Sequence, residues 1–219
     1  MNHDAPSEPV DWEQLYREGH TPWDKGRAHP WLLEVLQGAA TAFDPGPSAE
    51  PAAETGAASI LVPGCGTGHD VAALAHRFPA RRVTGIDVAP SALAAARERT
   101  AQLPNADIIE ANLFHPPASW RGAWQVVFEH TCLSALHPSL RRDYAAAVRE
   151  LLTPGGRLVA VFFLEPDMDP GEQGPPFGVT REELDAMLDP GFRLVESRFP
   201  IPTYEGRERR EEWRVYEAW

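Results

Sequence analysis

The run Ile60-Leu61-Val62-Pro63-Gly64-Cys65-Gly66-Thr67-Gly68 sets three alternating glycines directly behind a short apolar stretch and ahead of a helical pattern. Glycine takes positive φ without a Cβ penalty, so the backbone can turn tightly and approach a ligand. Strand, glycine loop and helix in that order form the ligand end of a nucleotide-type α/β sheet, outside the carboxyl ends of the strands. Single residues disfavour two common ligands. A dinucleotide fingerprint, G-x-G-x-x-G/A, needs Gly or Ala where this chain has His69, and a phosphate-binding loop needs a lysine that does not follow here.

The rest of the chain reads as a series built on that unit. Apolar runs at Ser59 to Pro63, Arg82 to Asp87 and Asp107 to Glu110 alternate with helical patterns at Asp70 to Phe78 and Ser91 to Gln102. Trp124 to Phe128 reads as a fourth strand, Ser139 to Leu152 as a helix, and Gly156 to Phe163 as a long strand after a Pro154-Gly155-Gly156 turn. Thr180 and Glu183 have capping-box spacing and open a helix to about Leu188. Phe192 to Phe199 and Glu212 to Trp219 alternate apolar and polar residues, which predicts a terminal antiparallel pair of half-buried strands. The expected fold class is α/β, a Rossmann-like, seven-stranded, mostly parallel sheet. Phe43 to Ser59 is rich in Ala, Pro, Gly and Glu without apolar periodicity, so it reads as a flexible loop. The 219 residues fit one domain: an N-terminal segment 1–42, a loop 43–58 and a core 59–219.

Charge narrows the partners. The formal net charge is −12, from 32 acidic and 20 basic residues, and that averaged field repels nucleic-acid phosphates. No stretch approaches the ~20 apolar residues of a membrane span. The polar, acidic start (Met1 to Asp11) lacks the basic region and apolar run of an export signal. Cys65 and Cys132 have neither metal-ligand nor redox spacing and suit a reducing cytoplasm. An acidic surface without a long apolar stripe makes a monomer the expectation.

Asp87 closes the second apolar run. A carboxylate there can accept hydrogen bonds from both hydroxyls of a ribose, or it can serve as the N-terminal acid of the helix near Pro90. Gly64-x-Gly66-x-Gly68 together with Asp87 resembles the first two motifs of class I methyltransferases that use S-adenosylmethionine (SAM). Five stretches then resemble the thiopurine, thiol and halide methyltransferase family over most of the chain. They are Trp12 to Gly26 (W-E-Q-L-Y-R-E-G-H-T-P-W-D-K-G), Leu61 to Asp70, Phe128 to Arg141, Leu151 to Gly156, and Gly174-Pro175-Pro176-Phe177. Val62, where many SAM enzymes carry an acid, is usual in that family. The T-P-W-D-x-G and G-P-P-F elements are closest to its thiol and halide branch.

The resemblance implies SAM as cofactor, an N-terminal helical flap, and a small soft methyl acceptor, a thiol first, with halide or chalcogen anions beside it. It implies that Trp12, Tyr16 and Trp23 close over the cofactor, that Gly64, Gly66, Gly68 and Asp87 cradle it, and that Asn112 and Leu113 meet its adenine side. His130 takes the position that contacts cofactor or acceptor. The residues alone leave other uses open. The three rings can pack the flap onto the sheet, Asn112 can start an Asx turn, and His130 can be a hydrogen-bonded structural residue. Glu129, His29 and Asp24 are further candidates for the pocket, each also readable as a cap or a surface charge.

Transfer from a sulfonium needs collinear approach, so positioning supplies most of the acceleration, and aromatic faces suit the cation. A thiol of pKa about 8.5 is only slightly ionised at neutral pH, so a modest base such as His130 suffices, and no metal is required. Two other readings remain at this level: O- or N-methylation of a small acceptor, and a SAM-binding sensor without turnover.

Overall fold

The computed structural model describes residues 10–45, 59–166 and 174–219. Five strands run parallel: β1 (Ser59–Pro63), β2 (Arg82–Asp87), β3 (Ala106–Glu110), β4 (Trp124–His130) and β5 (Leu152–Phe163). β7 (Glu211–Ala218) is antiparallel to both β5 and the edge strand β6 (Phe192–Arg198). The order is β3-β2-β1-β4-β5-β7-β6. Strand order therefore reverses between β1 and β4, and the glycine loop leaves β1 at that reversal.

Side chains alternate between two core layers because strand period is two. Leu61, Val127, Leu158 and Tyr216 face α6 (Arg141–Leu151) and α7 (Arg181–Leu188), meeting Tyr144, Val148 and Leu184. Ile60, Val126, Phe128, Val159 and Trp213 face the other way, toward α2 (Pro30–Gln37) and α3 (His69–Arg77). With both faces covered, β1 is buried from end to end, which is why its sequence is a continuous apolar run. The remaining helices are α1 (Trp12–Glu18), α4 (Pro90–Thr100) and the short α5 (Cys132–Ala135).

The structure revises four expectations. β4 runs past Phe128, because Glu129 and His130 pair with Ala160 and Val161 of β5. Pro154-Gly155-Gly156 is a bulge inside β5 and not a turn before it: pairing jumps from Trp124↔Leu152 to Val126↔Arg157 across Gly155, whose φ is 73°. β7 is buried almost throughout, since it lies between β5 and β6. Its polar residues are paired there, Arg214 with Asp185 and Glu212, and Glu212 with Arg181. Phe43 belongs to the core. It closes a 3-10 turn at Thr41–Phe43 and is fully buried against Phe78, Phe128 and Trp213, with ring centroids 5.5, 5.9 and 6.4 Å away. The remainder of the expected loop, 46–58, lies outside the described residues.

The N-terminal segment has two parts of different character. α2 starts on Pro30, is capped by His29, and buries Leu32 and Leu36. α1 buries no residue. The capping box at Thr180 and Glu183 forms as its spacing predicts. No helix among the described residues is long and apolar enough to cross a membrane.

Phe43→Ala leaves an aromatic-sized void under the N-terminal segment and should lower unfolding free energy by about 3–5 kcal/mol, read from urea denaturation at unchanged slope. A loss below ~1 kcal/mol would show that this turn is not part of the core.

Candidate functional site

The loop after β1 needs its glycines. Gly64, Gly66 and Gly68 all have positive φ, at 60°, 52° and 81°. A Cβ on Gly68 would stand 2.8 Å from the Ala96 methyl and 3.0 Å from its Cα, so this glycine lets α3 and α4 close together. A Cβ on Gly66 would stand 2.9 Å from the Tyr16 hydroxyl, which reaches in from α1. The Cys65 N–H donates to the Ile86 carbonyl (2.9 Å), tying the loop to β2.

Asp87 holds the far side of that loop. Its Oδ2 accepts from the Gly66 N–H (2.9 Å), and its Oδ1 accepts from the Val88 and Ala89 N–H groups (2.8 and 3.0 Å). The carboxylate therefore organises the loop and the approach to α4, while Oδ2 keeps a lone-pair site beyond the Gly66 bond. Burial raises its pKa, against the pull of the three backbone donors.

α1 and the residues after it lie over the loop. The Glu13 carboxylate accepts from the Ser91 N–H (2.8 Å) and hydroxyl (2.7 Å), placing an acid at the N-terminus of α4. Asp24 accepts from the Thr67 hydroxyl (2.6 Å) and the Gly26 N–H (2.8 Å) and stands 3.4 Å from His69 Nε2. Burial would raise its pKa, and those partners outweigh it and hold it below the usual range. Trp23 Nε1 donates to the Tyr16 hydroxyl (3.1 Å). Its ring meets Trp12 and Tyr16 edge-on at 5.4 and 5.8 Å. All three rings thus form one cluster beside Gly66. At the end of β3, Asn112 Oδ1 accepts from the Phe114 N–H (2.9 Å), the Asx turn its residue type allows, and Leu113 is buried in the core.

On the α2 and α3 side of the same rim is a second group. His130, last in β4, places Nδ1 2.8 Å from Asp70 Oδ2, and the other Asp70 oxygen accepts from the His29 N–H (3.0 Å). His29 Nε2 lies 2.9 Å from Glu211 Oε2; the Thr203 hydroxyl shares that oxygen, and Arg207 bonds the other (2.8 Å). The His29 ring stands edge-on to His130 at 4.9 Å and to Tyr204 at 5.0 Å. Burial would raise the pKa of Glu211, yet these donors bring it down to about 2. His29 is lowered, chiefly by burial.

His29, His130 and Glu211 offer ligand atoms within 4.8 Å of one another, a spacing that a metal ion could use. The tautomer argues otherwise. His29 Nδ1 accepts from the Trp31 N–H (3.1 Å), so its proton sits on Nε2 and points at Glu211, leaving no lone pair for an ion.

Glu129, one residue before His130, points to the opposite core layer. It is fully buried, one oxygen accepts from the Leu133 N–H (3.1 Å), and the other has no partner among the described residues. Burial pushes its pKa up to about 7.

Sequence reasoning named His130, His29, Asp24 and Glu129 but not Asp70, Glu211 or Glu13. Asp70 carried a signal, since it stands two residues past Gly68, where the first turn of α3 faces the ligand end of the sheet. Glu211 carried none: it is 182 residues from the histidine it pairs with.

The sequence matches the family model for thiopurine S-methyltransferase (TPMT) over residues 7–216. Thiocyanate methyltransferase 1 of Arabidopsis thaliana is 32% identical over 212 residues, covering 93% of this chain and 83% of that protein. Probable thiol methyltransferase 2 of the same plant is 30% identical over 215 residues, covering 93% and 84%. A crystal structure of Burkholderia thailandensis 1,6-didemethyltoxoflavin-N1-methyltransferase, with its substrate and S-adenosylhomocysteine bound, superposes with a TM-score of 0.69. At 18% identity over 98% of this chain and 92% of that one, this likeness establishes the fold.

Glu129 has a pH signature. Its carboxyl titrates near 7 when folded against an ordinary 4.5, so the fold favours the protonated form. That contribution is complete below the ordinary carboxylate range and is lost as pH rises toward the folded value. Glu129→Gln keeps the acceptor for Leu133 and never ionises. Its melting temperature relative to the parent should therefore rise from pH 5 to pH 8, by the equivalent of on the order of 2 kcal/mol. A pH-independent difference would contradict a carboxyl held neutral by burial.

Proposed function

Because the chain belongs to the thiopurine S-methyltransferase family and is a SAM-dependent methyltransferase, we propose that its methyl acceptor is a small thiol met at the rim between α1 and His130. The observation that carries this reading is the closed flap: Tyr16, Trp12 and Trp23 stand over the glycine loop, with the Tyr16 hydroxyl at the space left by the missing Gly66 Cβ. The names of two relatives, thiocyanate methyltransferase 1 and probable thiol methyltransferase 2, point to sulfur nucleophiles as well.

The residues fit the cofactor. Asp87 Oδ2 retains an acceptor site for ribose hydroxyls, the loop from Gly64 to Gly68 presents bare backbone, and three ring faces suit a sulfonium cation. Asn112 uses its amide oxygen in the Asx turn, which leaves the amide NH2 to face a purine edge, with the Leu113 backbone beside it. When bound, SAM supplies an electrophilic methyl group on a good leaving thioether. The protein's part is to hold the acceptor in line and exclude water, and a lid of aromatic rings does both. His130 is the acceptor-side contact. Halides and chalcogen anions are the other soft nucleophiles in the same class. The acidic net charge of −12 and the unpaired Cys65 and Cys132 support a monomeric, cytoplasmic enzyme acting on small molecules, with neither nucleic acid nor membrane as partner.

Calorimetry with SAM and its demethylated product should show binding, weakened about 10–100-fold in Asp87→Ala through the loss of charge-assisted hydrogen bonds and loop order. Incubation with thiols, iodide and amines should give thiol methylation. Turnover on amines or alcohols alone would overturn the thiol assignment, and tight binding without turnover on any of them would replace the enzyme by a sensor.

A further inference from the structure

Resting on that thiol reading, we propose that His130 Nε2 is the base that takes the thiol proton and that Asp70 is the positioning residue that fixes it in that tautomer. Such a base acts on acceptors that bring their own proton, alkyl thiols, and has no part in the methylation of preformed anions such as iodide and thiocyanate.

The geometry starts from Asp70. Its Oδ1 is tied to the His29 N–H and its Oδ2 to His130 Nδ1, so the carboxylate is held from both sides in the first turn of α3. A carboxylate accepts and does not donate, so the His130 proton sits on Nδ1 and the lone pair on Nε2. That Nε2 is buried and has no partner among the described residues. This histidine has an oriented lone pair at the carboxyl end of β4, on the strand that flanks the glycine loop.

Groups from several elements face this imidazole. The groups around His130 are Asp70 from α3, His29 before α2, Glu211 of β7, and Tyr204 and Arg207 from the segment between β6 and β7. Glu129 sits on the opposite face of β4. Arg207 is bonded to Glu211, Arg27 stands over the Tyr204 ring, and burial raises the Tyr204 phenol and lowers His29. A thiol proton taken onto Nε2 gives an imidazolium held against the Asp70 carboxylate, whereas an iodide or thiocyanate ion has no proton to give. Burial alone would lower His130 and raise Asp70; the pair overcomes this, His130 moving up and Asp70 down.

In the step itself the S–H bond breaks and its proton goes to Nε2. The sulfur pair forms the new bond to the cofactor's methyl carbon, and the pair of the broken C–S bond leaves on the cofactor as a thioether. His130 then carries the proton, charge-balanced by Asp70, until solvent removes it.

Two measurements test this. In the cofactor-free protein, 15N shifts of the imidazoles should show neutral His130 protonated on Nδ1, with a titration midpoint that falls in Asp70→Asn. A proton on Nε2 with Nδ1 bare overturns the proposal whatever the enzyme turns over. The second measurement is the methyl-transfer assay. Asp70→Asn and His130→Gln should lose about 100-fold in kcat/KM on 2-mercaptoethanol, but less than about 10-fold on iodide and on thiophenol, which is largely ionised at pH 8. Equal losses on all acceptors would mean a structural role and overturn the proposal. Failure of wild type to bind SAM would instead remove the underlying thiol reading, which calorimetry reports separately.

Discussion

The parallel pairing of β1 with β4 brings residues far apart in sequence to one rim. Ile60 and Leu61 lie against Val126 and Val127, so both strands end together, and β2 continues on one side while β5 continues on the other. The loop from Gly64 to Gly68 and the tip residue His130 thus face the same space with no connection between them but the sheet. β7 enters the rim from the opposite direction, because it is antiparallel, and brings Glu211 level with the end of β5. Without that register Asp70, His130, His29 and Glu211 would be unconnected polar residues. With it, four elements deliver them to one hydrogen-bonded group.

How legible this was depended on whether the controlling interaction was local. The strand from Ser59 to Pro63, the strand from Arg82 to Asp87 and the capping box at Thr180 are dictated by nearest neighbours and came out at or within a residue of their observed bounds. The family motifs picked out the flap aromatics and Asp87, which the structure sets around one loop. What local pattern could not show was burial by later strands. Glu212 to Trp219 alternates like a half-exposed strand, yet β6 covers its open edge and the charges of Glu212 and Arg214 must find one another inside. Phe43, at the border of an Ala- and Pro-rich stretch, looked like the first residue of a loop. It is buried because Phe78, Phe128 and Trp213, each from a different element, converge on it. Asp70 was hidden in plain view, its partner being 60 residues away.

Buried charge of this kind is a poor device for stability. Desolvating two ions costs about what their attraction returns, and well-packed apolar residues of similar size commonly do as well. The Asp70–His130 and His29–Glu211 pairs are each built in detail: both oxygens of each carboxylate are engaged, and both nitrogens of His29 are used. His130 Nε2 alone is left over. The network thus satisfies three of its members and leaves one nitrogen bare at the ligand end of the sheet, the observation on which the proposed base rests.

The flap and this network differ in how firmly they are held, and the difference suits their tasks. α1 buries no residue, and it meets the core through the Glu13 contacts to Ser91 and the Tyr16 hydroxyl above Gly66, while Asp24 adds its bond to Thr67. Partly exposed polar contacts of this kind contribute little individually, so releasing the flap requires no disruption of the core. His130 and its partners sit on β4, α3, β7 and the N-cap of α2, elements packed on or within the sheet. The attachments of α1 are therefore separable from the packing that holds His130 and its partners. On the proposed reading, a lightly attached aromatic lid covers a base held by the rigid part of the molecule, an arrangement that suits a methyl transfer accelerated mainly by positioning.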